Sequence, residues 1–61
     1  MIIYIVDIND LHTPLFCKEV DYTPAPRIGE KLIADGVMYQ VLEVYHNLDV
    51  QEIKVVTKKV S

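Results

Sequence analysis

The sequence predicts an all-β fold: one small domain, residues 1–61, built as a five-stranded, strongly bent barrel, closed or open. Three observations carry this. Asp35-Gly36 lies between two apolar runs, and Asp-Gly is the favoured centre of a two-residue type I′ hairpin because both central residues need φ > 0. Short runs of Ile, Val and Tyr alternate with clusters of Asn, Asp, Pro and Gly, the punctuation of strands and turns. No stretch sustains a 3.6-residue apolar period with caps, so no long helix is expected.

The chain has 61 residues, of which 51% are hydrophobic. A domain this short buries only about 60% of the surface its unfolded chain exposes, so it usually needs a disulfide, a metal or a partner chain. Cys17 is the single cysteine, which excludes an internal disulfide and a cysteine zinc cluster. His12 and His46 are too far apart for a structural metal site. A partner chain is the remaining remedy, and a homo-oligomer is expected. The net charge of −3 argues against a general binder of nucleic-acid backbone. The first ten residues, MIIYIVDIND, have no positive leader region and meet Asp7 early. They read as neither signal peptide nor membrane span, and with one free thiol they suggest a cytoplasmic protein.

The first strand runs from Ile2 to Ile8. It is apolar on both faces, with Ile2, Tyr4, Val6 and Ile8 on one and Ile3 and Ile5 on the other. A doubly apolar strand implies a covered outer face, here by another chain or the C-terminal segment; Ile3 and Ile5 are assigned to that interface. Asn9 to Pro14 is a turn-rich loop. Leu15 to Tyr22 is a second strand of mixed alternation, which suggests a bulge or bend. Cys17 within it reads as a small core hydrophobe. Thr23 to Ile28 is stiffened by Pro24 and Pro26. Arg27, at its end, reads as an anion or carboxylate fork, or as a surface partner of Glu30 or Asp21.

In the hairpin, Ala34 faces Val37, Ile33 faces Met38, Leu32 faces Tyr39 and Lys31 faces Gln40. Leu32 and Tyr39 belong to the core face. A bulge at Leu42-Glu43 keeps Tyr39, Val41, Val44 and His46 inward while the strand bends. Ile33, Met38 and Tyr45 then point outward as a contact surface, with Ile33 and Met38 assigned to the interface. His46 to Gln51 is a loop, and Glu52 to Val60 is the last strand. Its Lys54, Lys58 and Lys59 read as edge-strand protection or, less readily, as a nucleic-acid contact.

No catalytic constellation stands out. Gly29 and Gly36 are isolated, so there is no phosphate loop; Ser61 is terminal and far from either histidine. An enzyme, a metal or a cofactor is not expected.

The run PRIGEKLIADGVMYQVLEVYH resembles the middle of small SH3-like barrels: a Pro and Gly lead-in, a short strand, a tight turn, then a long bent strand with Tyr-x-Val-x-x-Val. In general character the chain is similar to small acidic accessory proteins of bacteria and their phages. Some phage proteins of that kind assemble into oligomers that sequester nucleotide immune signals between subunits.

Two functions are therefore expected in competition. One is a non-enzymatic module that self-associates and docks a protein partner. The other is an oligomeric binder of a small anionic ligand such as a nucleotide, held at a subunit boundary by Arg27, Tyr22, Tyr45, His46 and Lys54. A nucleic-acid-binding barrel is the third and weakest.

Overall fold

A computed structural model of the protein describes residues 1–19 and 25–60. Every regular element among them is a strand: β1 Ile2–Asp7, β2 Phe16–Glu19, β3 Lys31–Ala34, β4 Val37–Asn47 and β5 Glu52–Lys59. They form one sheet in the order β2-β1-β5-β4-β3. It curls into a nearly closed barrel whose seam, between the edge strands β2 and β3, is not sealed among the described residues. No helix there is long and apolar enough to cross a membrane.

The hairpin forms as its turn residues dictate. Asp35 and Gly36 both take positive φ, 54° and 77°, as a type I′ turn requires. This fixes Ala34 opposite Val37 and Ile33 opposite Met38. The register of β4 on β5 slips between Val41 and Glu43, so Leu42 is the bulged residue. The slip keeps Val41 opposite Thr57 and Val44 opposite Val55, all facing inward across a strand that would otherwise change face.

β1 does not lie at an edge. It pairs antiparallel with β2 and parallel with β5, Ile3 beside Ile53 and Ile5 beside Val55. β1 has buried residues on both faces, Ile3 and Ile5 on one and Val6 on the other, which accounts for its double apolarity. The inner face is the odd-numbered one. Ile3 and Ile5 are 5% and 8% exposed and join Val41, Ile53 and Val55 in the core, with Ala25, Leu32 and Val44 packed against it. Ile3 and Ile5 are thus not the face offered to another chain: they are the centre of the barrel. The outer face of β1 carries Val6, which is also buried, as is its β5 neighbour Val56. The segment after β1 supplies cover for it. Asn9 N–H donates to the Asp7 carboxylate and Asp10 N–H to the Asp7 carbonyl, both at 2.9 Å. The chain turns there and returns over this face through Leu11 and Pro14. Leu15 N–H then reaches the Ile5 carbonyl at 2.7 Å.

Two further expectations change. Cys17 is exposed rather than buried, because β2 is an edge strand and its register sets Cys17 beside Tyr4 on the outer face. β5 is an interior strand, so Lys54 does not guard an edge. Only Lys58 and Lys59 run past the end of β1, whose pairing stops at Thr57. The remainder of the expected second strand, residues 20–22, lies outside the described residues.

Candidate functional site

Several hollows open on the described part of the sheet, and the candidate residues fall in two regions of it. On its outer face, the pairings Tyr45–Lys54 and Glu43–Val56 bring four side chains from β4 and β5 together. With Ile8 and Leu11 they line a hollow of about 340 Å³. The Tyr45 hydroxyl donates to the Glu43 carboxylate. That bond, and the charge behind it, hold the Tyr45 phenol above its ordinary titration range. A neighbouring hollow of about 300 Å³ is lined by Tyr4, Val6, Leu11, Pro14, Glu52 and Lys54. Leu11 and Lys54 line both, so the two hollows adjoin on the outer face. The Tyr4 phenol is raised as well, first by the charge of Glu52, then by partial desolvation and by Cys17.

A third hollow, of about 610 Å³, opens between the segment before β3 and the Val44–His46 side of β4. It is lined by Ala25, Pro26, Arg27, Ile28, Val44 and His46. Arg27 is placed by a tight turn. Its carbonyl accepts from Glu30 N–H at 3.0 Å, its own N–H donates to the Glu30 carboxylate at 2.5 Å, and Gly29 takes φ 90°. Positive φ at this third turn position is what a type II turn requires and glycine supplies. Gly29 N–H donates to Val41 and Val41 N–H to Glu30, which tie the turn to β4. His46 stands opposite Ile53 but is exposed, so the inward row expected through Tyr39, Val41, Val44 and His46 ends at Val44, where β4 runs out past the core.

The five residues assigned to a ligand are therefore divided. Arg27 and His46 share the third hollow. Tyr45 and Lys54 share the outer one. Tyr22 lies outside the described residues. Tyr45 and His46 are consecutive in β4, and consecutive strand residues point to opposite faces. Of the four interface residues, Ile33 and Met38 are exposed and paired on the outer face of the hairpin, while Ile3 and Ile5 are core. Ile8 and Leu11 were not singled out from the sequence. Their signal is one apolar residue at the end of the first strand and one within the turn-rich loop that follows it. Among the described residues no three His, Cys, Asp or Glu side chains converge to hold a metal ion.

No protein family, no curated protein and no solved structure matches the chain. The likeness to SH3-like barrels stays at the coarse level of a small five-stranded, nearly closed barrel.

Proposed function

We propose that this protein is a non-enzymatic binding module that self-associates and docks a protein partner. The observation that carries the reading is the grouping of its exposed apolar side chains. Ile8, Leu11 and Tyr45 are exposed around one outer hollow, and Ile33 and Met38 form a second patch on the hairpin. Isolated surface hydrophobics are ordinary, but clustered ones mark contact surfaces. Tyr45 adds a hydroxyl to an apolar ring, a combination favoured at interfaces.

Native mass spectrometry of the protein purified from cell extract tests this. A defined oligomer, or a complex with a second protein that Leu11→Asp abolishes, is the expected result. A bare monomer at every concentration, with no partner retained, overturns it.

A second reading rests on the third hollow. Arg27 and His46, both exposed, bring a guanidinium and an imidazole to one open hollow that Val44 and Ala25 also line, a setting suited to a carboxylate or phosphate. In that case the purified protein carries a small anionic ligand, and Arg27→Ala releases it with the fold intact. Retention by Arg27→Ala rules Arg27 out.

A further inference from the structure

The outer edge of β3 carries an inference that rests on the self-association just proposed and gives it a geometry. In a hairpin closed by a two-residue turn, the residues flanking the turn form a hydrogen-bonded pair, and bonded and non-bonded pairs then alternate. Ala34–Val37 is that first pair. Leu32 and Glu30 follow it in phase, and the Val41 N–H bond to the Glu30 carbonyl at 2.8 Å confirms the phase. The backbone groups of Lys31 and Ile33 consequently face away from β4, toward the open edge. β3 is the last strand of the sheet, and among the described residues none bonds to those groups.

The side chains along this edge are self-complementary. Lys31 and Ile33 share one face of β3, and Asp35, the first turn residue, stands as far beyond Ile33 along the chain as Lys31 stands before it, so the apolar residue has opposite charges at equal spacing on either side. Ile33 is 70% exposed, and Met38 lies directly across from it on the same face.

We propose that two copies of this chain pair through β3, antiparallel about a two-fold axis at Ile33. Each Lys31 then lies opposite Asp35 of the other copy. At the axis the two Ile33 residues exchange N–H···O=C bonds through the groups that face outward. The two Ile33 and two Met38 side chains form one apolar strip, capped at both ends by a Lys–Asp pair. On the inner face Leu32 meets Ala34 of the second copy. A register slip of two residues, which moves the axis to Leu32, places Lys31 against Ile33 and loses both charge pairs. The charge pattern therefore selects the register, as cross-strand pairs do within a sheet. In the single chain Lys31 keeps the edge from indiscriminate pairing; in the dimer the same lysine is matched.

The test uses the full chain in sedimentation and light-scattering dilution series. Lys31→Glu replaces two attractions by two repulsions and weakens the dimer about tenfold or more. Added salt weakens the parent dimer and tightens that of Lys31→Glu, because screening removes attraction in one and repulsion in the other. An equal mixture of Lys31→Glu and Asp35→Lys chains restores parent affinity. Asp35→Lys strains the turn, so a second variant tests the geometry independently of it. In an antiparallel hydrogen-bonded pair, facing Cα atoms lie about 5.5 Å apart, inside the roughly 4.4–6.8 Å that a disulfide spans. Ile33→Cys in a Cys17→Ser background is expected to give a disulfide-linked dimer on mild oxidation. If the parent dimerises but Lys31→Glu leaves affinity unchanged and Ile33→Cys stays a thiol, the β3 pairing is wrong while self-association stands. If the parent is monomeric throughout, both fall together.

Discussion

The Thr57 hydroxyl donates to the Val6 carbonyl at 2.9 Å, across 51 positions of sequence. Thr57 is fully buried and is the one buried polar side chain among the described residues. The same residue's carbonyl accepts from Ile8 N–H at 2.7 Å. One residue of β5 thus clasps the exit of β1 twice, once through its backbone and once through its side chain. Thr57→Val keeps the shape and removes the donor. It is expected to cost about 1 kcal/mol, the usual worth of one such bond. Thr57→Ser retains the bond and loses only a methyl group. Urea unfolding that ranks Thr57→Val equal to the parent would show that the hydroxyl bond adds no net stability.

Gly36 tests the turn. Open space surrounds the position where its Cβ would stand, so Gly36→Ala meets no steric neighbour. What it meets is φ 77°, a region that costs an ordinary residue roughly 1–2 kcal/mol. A loss of that size in chemical denaturation is expected for Gly36→Ala and a smaller one for Asp35→Asn, since Asn tolerates positive φ. Equal losses at both positions would contradict the turn assignment.

Two strand isoleucines should differ sharply. Ile3→Ala opens a cavity in the core and is expected to cost roughly 2–5 kcal/mol, against a total of about 3–9 kcal/mol for a domain of this length. Ile33→Ala, measured at dilutions where the chain is monomeric, is expected to change stability by no more than about 0.5 kcal/mol. The reverse ranking would mean that the two faces of the sheet are exchanged.

Tyr45 gives a pH signature. Its phenol is raised chiefly by its hydrogen bond to Glu43 and then by the Glu43 charge. The folded state therefore holds this proton more tightly than the unfolded chain. The contribution is complete below the ordinary tyrosine value of about 10, and it disappears as pH climbs through the raised folded value. Ultraviolet titration of Glu43→Gln should show one phenol ionising at lower pH than in the parent. A superimposable titration would separate the two residues. Tyr4 should respond in the same direction to Glu52→Gln, since Glu52 is the main cause of its shift.

The parts of this fold that are legible in the sequence are the local ones. Asp35-Gly36 announces its own turn, and the break in alternation at Leu42-Glu43 announces a bulge, because in both cases the determining residues are neighbours in the chain. The parts that are not legible depend on partners far away. When both faces of a strand are apolar, alternation separates Ile3 and Ile5 from Tyr4 and Val6 but says nothing of which set faces the core. That is decided by the parallel pairing with β5, about fifty residues later. Cys17 inherits its exposure from the edge position of β2, and Lys54 its interior position from the same pairing. For the candidate site, alternation already divides Tyr45 from His46, so the split between the two hollows could be read. The approach of Leu11 to Lys54 could not, because it depends on the path of a loop.

The placement of β5 also governs how the chain reaches this structure. Among the described residues, the strand pairing of β1–β2 with the β3–β4 hairpin runs through β5. The hairpin is local and closes in microseconds. Its union with the amino-terminal half waits for a loop of about fifty residues to close, an event whose entropy is lost before any contact rewards it. Refolding should accordingly fall in the range of milliseconds to seconds that non-local sheets occupy. Substitutions at Val55 or Ile53 should slow refolding more than those in the turn. A chain severed between β4 and β5 becomes two fragments that take on structure only in each other's presence.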